Sequence, residues 1–346
     1  AHRGPYELSP TLRVQLPGPA DAVALSPDGK RIAVAMTGVP AQLLDGANGK
    51  PIANLEGIEG AISSIAFSSD GTVVALAGPA GAYLFDGQGG EAKGKLDTKG
   101  AVAAIAFTAD GSKIATGEGR TARVYDLGGH LLAHLEGHAA QVTGVAFPPD
   151  GRMLVTADDD GAIRAWSPLP SRPGQRIDSR VIRSAGHAAI NGLGFAPGGK
   201  VIVTGANDGT VRFYDADSTL QLVRINGPQG PIKALSFSTE GPIGVLGSDS
   251  TLTLADAAAQ ALVAQIEGED AVTVVGLSAD GTRLASANRD GRLRLWSVTP
   301  GARIIGYDAP KGFLSGSALA VSPNGKRVAV GDSAGHIVLW DVSTGK

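Results

Sequence analysis

The segment that decides the fold is Val145-Ala146-Phe147-Pro148-Pro149-Asp150-Gly151. It consists of an apolar, a small and a second apolar residue, followed by turn-forming residues and a glycine. Seven further segments share this pattern, and the final glycines are 42, 40, 40, 48, 42, 40 and 44 residues apart. The eight copies occupy residues 23–29, 65–71, 105–111, 145–151, 193–199, 235–241, 275–281 and 319–325. A period of this length indicates a repeat architecture.

Each copy predicts the same group of four strands, which we call a to d in chain order. The alternating residues form strand a, and the Asp-Gly pair closes a hairpin to strand b because glycine accepts positive φ. Two further strands follow without any helical periodicity, as at 163–166 and 131–135. Four short antiparallel strands per copy predict one propeller blade. The middle position of strand a is Ala, Gly or Ser in every copy, so we expect another sheet to approach closely there.

The strand count also predicts how the ring closes. The last copy ends just after its third strand, at Trp340-Asp341, whereas Leu12–Leu16 precedes the first copy as an unassigned strand. We expect this segment to complete the last blade, which removes an open sheet edge. The predicted fold is therefore an all-β, eight-bladed propeller in a single domain over residues 1–346. Its parts are an N-terminal arm at 1–10, a closing strand at 11–17 and eight blades over 18–346.

The fourth copy carries a family resemblance. Its Gly137-His138, Thr156, Asp160-Gly161 and Trp166 resemble the marks of a WD40 repeat. Other copies retain single marks, at Tyr125-Asp126, Gly186-His187, Tyr214-Asp215, Trp296-Ser297 and Trp340-Asp341. The chain is identified on this basis as a WD40-repeat β-propeller of bacterial type with degenerate repeats. The resemblance implies one structural hydrogen-bond network in blade four, formed by His138, Thr156, Asp160 and Trp166.

Composition excludes several classes of function. The 30 basic and 33 acidic residues give a net charge of −3, which argues against nucleic acid as a partner. The absence of cysteine excludes disulfides, cysteine-ligated zinc, iron–sulfur clusters and thiol catalysis. No apolar run approaches the ~18 residues of a transmembrane helix. Because the sequence lacks cysteine and starts at Ala1, we expect a periplasmic or secreted location rather than a cytoplasmic one.

Candidate catalytic and metal-binding residues are few. His130, His134 and His138 are four residues apart, which on a strand is about 13 Å per step, too far for one metal to take all three. The acidic run 158–160 is interpreted as a solvated turn, with a divalent-cation site as the alternative. The positions just after the start of each strand a are small or mixed polar: Asp21, Ser63, Ala103, Thr143, Asn191, Lys233, Thr273 and Ser317. We therefore predict no catalytic residue, no metal site and no cofactor.

The resemblance implies a non-catalytic scaffold that presents loops around the channel mouth to a protein partner, within a larger complex. The alternative is a propeller enzyme, such as a channel-sited hydrolase, or a protein that binds a small ligand or metal in the channel. Both readings place the function at the central channel, and they differ in whether titratable side chains converge there.

Two long repeat spacings supply candidate partner residues. The 48-residue step adds a loop with Arg172 and Arg176, interpreted either as a solvated loop or as a contact for an acidic partner. The 44-residue step places Phe313 and Leu314 in a d–a loop, where large apolar residues indicate a contact. We predict a partner site on the face of the d–a and b–c loops, with Phe313 inserted into the channel as the alternative. Its residues are Phe313, Leu314, Arg289, Asn207, Gln141 and Lys233.

Overall fold

A computed structural model describes residues 12–17, 20–36, 38–183, 188–226, 230–238, 243–247, 251–256, 261–266, 272–277, 283–288, 293–297, 305–308, 316–322, 327–332 and 334–341. All regular structure in these residues is β-strand. The strands form eight antiparallel sheets of four strands each, and every sheet is one blade. None of the described residues forms a helix long and apolar enough to span a membrane.

The first strand, β1 (Leu12–Gln15), belongs to the last blade. Blade one contains β2 (Ala20–Leu25), β3 (Arg31–Met36), β4 (Val39–Asp45) and β5 (Pro51–Leu55). Blade two contains β6 (Ser64–Phe67), β7 (Val73–Gly78), β8 (Gly81–Asp86) and β9 (Ala92–Lys95). Blade three contains β10 (Val102–Phe107), β11 (Lys113–Glu118), β12 (Thr121–Asp126) and β13 (Leu131–Glu136). Blade four contains β14 (Val142–Ala146), β15 (Leu154–Asp158), β16 (Ala162–Ser167) and β17 (Asp178–Arg183).

The second half of the chain continues the same order. Blade five contains β18 (Ile190–Phe195), β19 (Val201–Ala206), β20 (Thr210–Asp215) and β21 (Gln221–Asn226). Blade six contains β22 (Ile232–Ser236), β23 (Ile243–Gly247), β24 (Leu252–Asp256) and β25 (Ala261–Ile266). Blade seven contains β26 (Val272–Leu277), β27 (Arg283–Asn288), β28 (Leu293–Ser297) and β29 (Ile305–Asp308). Blade eight contains β30 (Gly316–Val321), β31 (Arg327–Asp332), β32 (His336–Asp341) and β1.

The sheets close into a ring. The innermost strand of each blade contacts the innermost strand of the next, and β30 of blade eight contacts β2 of blade one. Strand β1 pairs antiparallel with β32, with Leu12 opposite Leu339 and Gln15 opposite His336. Leu16 continues the pairing, since its N–H donates to the carbonyl of Gly335 at 2.5 Å and its side chain is buried. The eight sequence copies thus correspond to eight sheets, and the N-terminal strand completes the last one.

The hydrophobic core lies between neighbouring blades. Val155 and Ile163 of blade four pack with Ile202 and Tyr214 of blade five, and the other described clusters likewise join two successive blades. Full burial of one large apolar side chain contributes about 1.5–3 kcal/mol. Each blade therefore buries apolar side chains against its neighbours, which fixes the loops of successive blades relative to one another.

The small middle position of strand a makes room for the next blade. A Cβ atom on Gly194 would overlap the ring of Phe237 in blade six, and one on Gly276 would overlap Leu319 in blade eight. This confirms the close approach that the sequence predicts at this position.

Candidate functional site

The d–a loops and the b–c turns lie on one side of the ring, which we call the upper face. Polar side chains just inside the start of strand a connect neighbouring blades there. The Ser63 hydroxyl donates to the carbonyl of Val102 at 2.7 Å, and the Thr143 hydroxyl donates to that of Ile190 at 2.9 Å. In each case the acceptor is the first residue of the next blade's strand a. Two of the polar positions around the channel mouth therefore connect neighbouring blades, a role that the sequence analysis missed.

The same arrangement brings two of the predicted partner residues together. The Asn191 side-chain amide donates both to Asn207 Oδ1 at 2.6 Å and to the carbonyl of Ile232 at 2.7 Å. Asn207 and Lys233, the residue after Ile232, are both exposed at this junction of blades five and six. Gln141 is also exposed on the upper face, before blade four, where its carbonyl accepts the N–H of Asp159 at 3.0 Å. Phe313, Leu314 and Arg289 lie outside the described residues.

Blade four contains a buried polar chain. Trp166 Nε1 donates to Thr156 Oγ1 at 2.9 Å, and the Thr156 hydroxyl lies 2.6 Å from His138 Nε2. His138 Nδ1 lies 2.7 Å from Asp158 Oδ2 and donates a hydrogen bond to this carboxylate oxygen. The other oxygen of Asp158 accepts the N–H groups of Asp160 and Ala162, at 3.1 and 2.8 Å, and so holds the b–c turn.

The prediction that Asp160 belongs to this network was wrong. Its side chain is exposed in the turn, whereas Asp158 is fully buried. Thr156 and Asp158 are two residues apart on β15, so their side chains project to the same side of the sheet. Asp160 lies beyond the end of that strand, where the alternation no longer directs its side chain inward.

Burial lowers the pKa of His138, although its hydrogen bond to Asp158 acts in the opposite direction. The imidazole is therefore neutral at neutral pH, with Nδ1 donating and Nε2 accepting. Its side chain has no exposed surface, so a substrate in solvent cannot reach it. The chemistry of this group is structural.

The other histidines of the predicted series are also separated. His130 Nδ1 lies 3.0 Å from Asp126 Oδ2, and His134 Nδ1 lies 3.6 Å from Glu136 Oε1. Together with the pair of His138 and Asp158, three histidines thus have three different carboxylate partners. Among the residues that the structure describes, no cluster of His, Cys, Asp or Glu could hold a metal ion.

Blade three contains a buried ion pair that the sequence analysis did not single out. Glu118 Oε2 accepts from Arg123 Nη1 and from the Lys99 N–H at 3.0 Å. Its Oε1 accepts from the Thr116 hydroxyl at 2.7 Å and from the Tyr125 hydroxyl at 3.3 Å. Glu118 and Arg123 are both buried, so the pair is enclosed within the protein, and its described partners belong to blade three and the loop before it. The sequence signal that could have indicated this pair is a Glu and an Arg at strand positions where a soluble β-protein usually has apolar or small residues.

The long c–d loop of blade four contains hydrogen bonds of its own. Gln175 Oε1 accepts the N–H groups of Ser171 and Arg172, at 2.6 and 3.2 Å. Arg172 is exposed, and the exposed Arg176 donates from Nε to Asp178 Oδ1 at 3.0 Å. The structure therefore places both predicted arginines on the outer rim, away from the channel mouth.

The family model described as "WD domain, G-beta repeat" matches residues 49–82, 129–167, 179–215, 260–297 and 312–341, which together are just over half of the chain. The chain belongs to the WD40-repeat family. Among curated proteins, no sequence matches it.

Solved structures confirm the WD40 propeller fold. The computationally designed Ika8 protein superposes with a TM-score of 0.79 at 21% identity, covering 97% of this chain and 99% of that one. The C-terminal WD40 domain of Sif2 gives 0.78 at 17% identity, with coverages of 95% and 97%. A chain of the Mitotic Checkpoint Complex gives 0.69 at 19% identity, with coverages of 99% and 94%. At these identities the likeness shows the fold alone.

The lower end of the WD40 ring, on the side of the a–b hairpins, contains an apolar cavity of about 300 Å³. Four phenylalanines line it, one from each of blades three to six: Phe107, Phe147, Phe195 and Phe237. No titratable side chain is among its described lining residues, so the cavity offers apolar contact and no acid–base group.

Proposed function

We propose that this protein is a non-catalytic protein-interaction scaffold and a subunit of a larger complex, with degenerate repeats of the bacterial type. WD40 propellers are commonly interaction scaffolds. The observation that carries the proposal is the set of hydrogen bonds between blades at the channel mouth, from Ser63, Thr143 and Asn191. They join blade two to blade three and link blades four, five and six at the upper face, and a preorganised surface loses little conformational freedom on binding.

The proposed contact surface is the upper face, centred on the loop between blades seven and eight and continuing to blades four to six. Gln141, Asn207 and Lys233 are exposed there and supply hydrogen-bonding groups and one positive charge. By the sequence pattern, Phe313 and Leu314 add an apolar anchor and Arg289 a second charge. An aromatic anchor with a polar rim is the usual composition of an energetically dominant contact.

Affinity capture from the native organism, with mass spectrometry of the captured proteins, tests this proposal. Wild type is compared with the Lys233→Glu variant and with a Lys200→Glu control, which makes the same charge change in an exposed a–b hairpin on the opposite face. We expect Lys233→Glu to lose a partner that Lys200→Glu retains. Equal capture by all three proteins would contradict a contact surface on the upper face.

Phe313 gives a second test. As a partner contact, Phe313→Ala should weaken binding by about 1–2 kcal/mol or more and leave thermal stability nearly unchanged. The reverse result, lower stability with unchanged affinity, would assign Phe313 to the channel as a plug.

The apolar lower cavity favours a second candidate function, the binding of a small apolar ligand in the channel. Its volume of about 300 Å³ is at the lower limit of ordinary ligand pockets. Solvent extraction of the purified protein followed by mass spectrometry tests this function. A stoichiometric small molecule would favour it, and an empty extract would count against it.

A further inference from the structure

The outermost strand of blade three is more deeply buried than comparable strands. Leu132 and Ala133 of β13 are 7% and 8% exposed, whereas all four residues of β9 in blade two are exposed. The cause is the long c–d loop of blade four. Its Leu169 and Ile177 pack against the cluster that contains Leu132 and Ala133. The loop therefore leans over the neighbouring blade at the outer rim.

This contact leaves a groove between the loop and the edge of β13. The groove has a volume of about 460 Å³ and lies over Trp166 and Ser179 of blade four. Leu132, His134 and Glu136 form its β13 side, and Gln175 belongs to the loop side. Gln175 is also the residue whose side chain accepts the N–H groups of Ser171 and Arg172, so the wall is held in place.

The β13 side of the groove belongs to the end strand of a sheet. Within the described residues, β13 is the end strand of its sheet and pairs only with β12. In such a strand alternate residues direct their N–H and C=O groups away from the sheet. An extended peptide can bind these groups as an added strand. The loop opposite gives this edge a second wall, which the exposed outer strands β9 and β21 do not show.

The charge of the loop indicates the kind of peptide. Arg172 and Arg176 flank the groove wall, both are exposed, and the described carboxylate partner of Arg176 is the exposed Asp178. An exposed ion pair contributes little, so Arg176 can exchange that partner for another carboxylate. Among the described residues that line the groove, Glu136 is the carboxylate, and its Oε1 lies 3.6 Å from His134 Nδ1 on the β13 side.

We propose that an extended, acidic peptide segment of a partner protein binds in this groove as a fifth strand of blade three. Its main chain pairs with β13, and its carboxylates face Arg172 and Arg176. The proposal rests on the scaffold function above and adds a second contact surface, on the outer rim, with a defined class of partner.

Fluorescence anisotropy with labelled decapeptides tests the class of ligand. The probe alternates glutamate and valine, and the two comparison peptides alternate lysine with valine and glutamate with proline. The last has the same charge but cannot donate main-chain N–H groups at its prolines. We expect the glutamate–valine peptide to bind at least tenfold more tightly than both. No binding at 1 mM protein, or equal affinity for all three peptides, would overturn the proposal.

A groove-filling variant tests the location. Ser179 lies opposite Trp166 and lines the groove, whereas Gln221 lies opposite Tyr214 at the matching place in blade five. We expect Ser179→Trp to weaken peptide binding at least tenfold and Gln221→Trp to change it less than twofold. Similar effects of both substitutions would overturn the assignment of the peptide to this groove.

A charge-reversal pair provides a test that does not depend on packing. The double variant Arg172→Glu with Arg176→Glu should weaken the glutamate–valine peptide five- to tenfold and reduce its salt dependence. The control, Lys200→Glu with Arg224→Glu, makes the same change in net charge on exposed residues elsewhere and should leave both quantities unchanged. Equal effects of the two double variants would overturn the proposed charge contact.

The two surfaces can be separated experimentally. Lys233→Glu should leave peptide affinity unchanged, because the upper face does not form the groove. One outcome would overturn the peptide-binding proposal and leave the scaffold function supported. In that outcome no peptide binds, and native partners require Lys233 but bind the Ser179→Trp variant normally. Peptide binding without any Lys233-dependent partner would support the groove and count against the upper face.

Discussion

Blades three and four place different polar groups at the same positions of the repeat. Thr116 lies opposite Arg123 in blade three as Thr156 lies opposite Arg164 in blade four. Blade four fills the space between them with a neutral histidine from its d–a loop, bonded to Asp158. Blade three instead encloses the ion pair of Glu118 with Arg123 and seals it with the main-chain N–H of Lys99.

The difference between blades three and four indicates which features of the buried polar site the repeat requires. In blade four the arginine turns outward, donates to the carbonyl of Gly137 at 2.6 Å and lies 5.8 Å from the Trp166 ring. In blade three the smaller Tyr125 occupies the position of Trp166, and Arg123 turns inward. The space must be filled and every buried polar group paired, but two unrelated sets of residues satisfy both conditions.

Glu118→Ala should show the largest effect, because it leaves the buried guanidinium of Arg123 without its carboxylate. Breaking a buried pair from one side costs about 3–5 kcal/mol of the free energy of unfolding. Denaturant unfolding measures the change, with the exposed Glu136→Ala as its control. A decrease in the free energy of unfolding of less than ~1 kcal/mol would contradict the burial of this ion pair.

Asp158→Ala should follow, since it leaves the His138 N–H and two turn N–H groups without their acceptor. Each buried unsatisfied donor costs about 1–3 kcal/mol, and the turn donors can reach water, so we expect about 2–4 kcal/mol in total. Asp160→Ala is the matched control from the same turn and should change stability by less than ~0.5 kcal/mol. A larger loss of stability in Asp160→Ala than in Asp158→Ala would show that Asp160 belongs to the network and Asp158 does not.

The two blades should respond to pH in opposite directions. The pKa of His138 is lowered by burial, so the unfolded chain binds its proton more readily, and stability falls as the pH drops below about 6.5. Burial and the charge of Glu118 raise the pKa of the Tyr125 phenol above its ordinary value of 10.0, so stability falls as the pH rises above 10.

Stability curves against pH measure both slopes. His138→Gln should flatten only the acid side and Tyr125→Phe only the alkaline side. A variant that changes the slope on the other side of neutrality would contradict the assignment to its blade.

The smallest effect concerns the a–b hairpins of the same blades. In blade three the hydroxyl of Thr108 donates to Asp110 and, with Ser112, lowers the pKa of that carboxyl to about 2. In blade four Pro148 replaces the hydroxyl, and Asp150 contacts Arg152 instead. Because the pKa is lowered in the folded state, its contribution is present above pH 3.8 and is lost as the pH falls towards 2.

Thr108→Val should therefore reduce stability at neutral pH slightly and make the acid slope below pH 4 less steep. Nuclear magnetic resonance titration of Asp110 measures its pKa directly. An unchanged value in the variant would show that the hydroxyl is not what stabilises the carboxylate.

The repeat spacing predicted the strands well because turn glycines and alternating strand residues are local signals. The side-chain network was less predictable. The Asp160-Gly161 pair matches the family pattern, but which aspartate is buried depends on where β15 ends, and three consecutive aspartates leave that open. Glu118 was missed because its partner Arg123 becomes adjacent only through strand pairing and through the approach of Lys99. The groove depends on a contact between two blades, which no single repeat encodes.

Ring closure has a consequence for the order of events during synthesis. Leu12 pairs with Leu339, so the two strands of the closing contact are separated by nearly the whole chain. At about 5–20 residues per second, a ribosome needs roughly 16–65 s to make the residues between them. During that interval β1 lacks the strand that it pairs with, while the blades already synthesised can pack against one another. Ring closure is therefore a contact of very high sequence separation, which is slow to form, and β1 presents an unpaired sheet edge until β32 has been made.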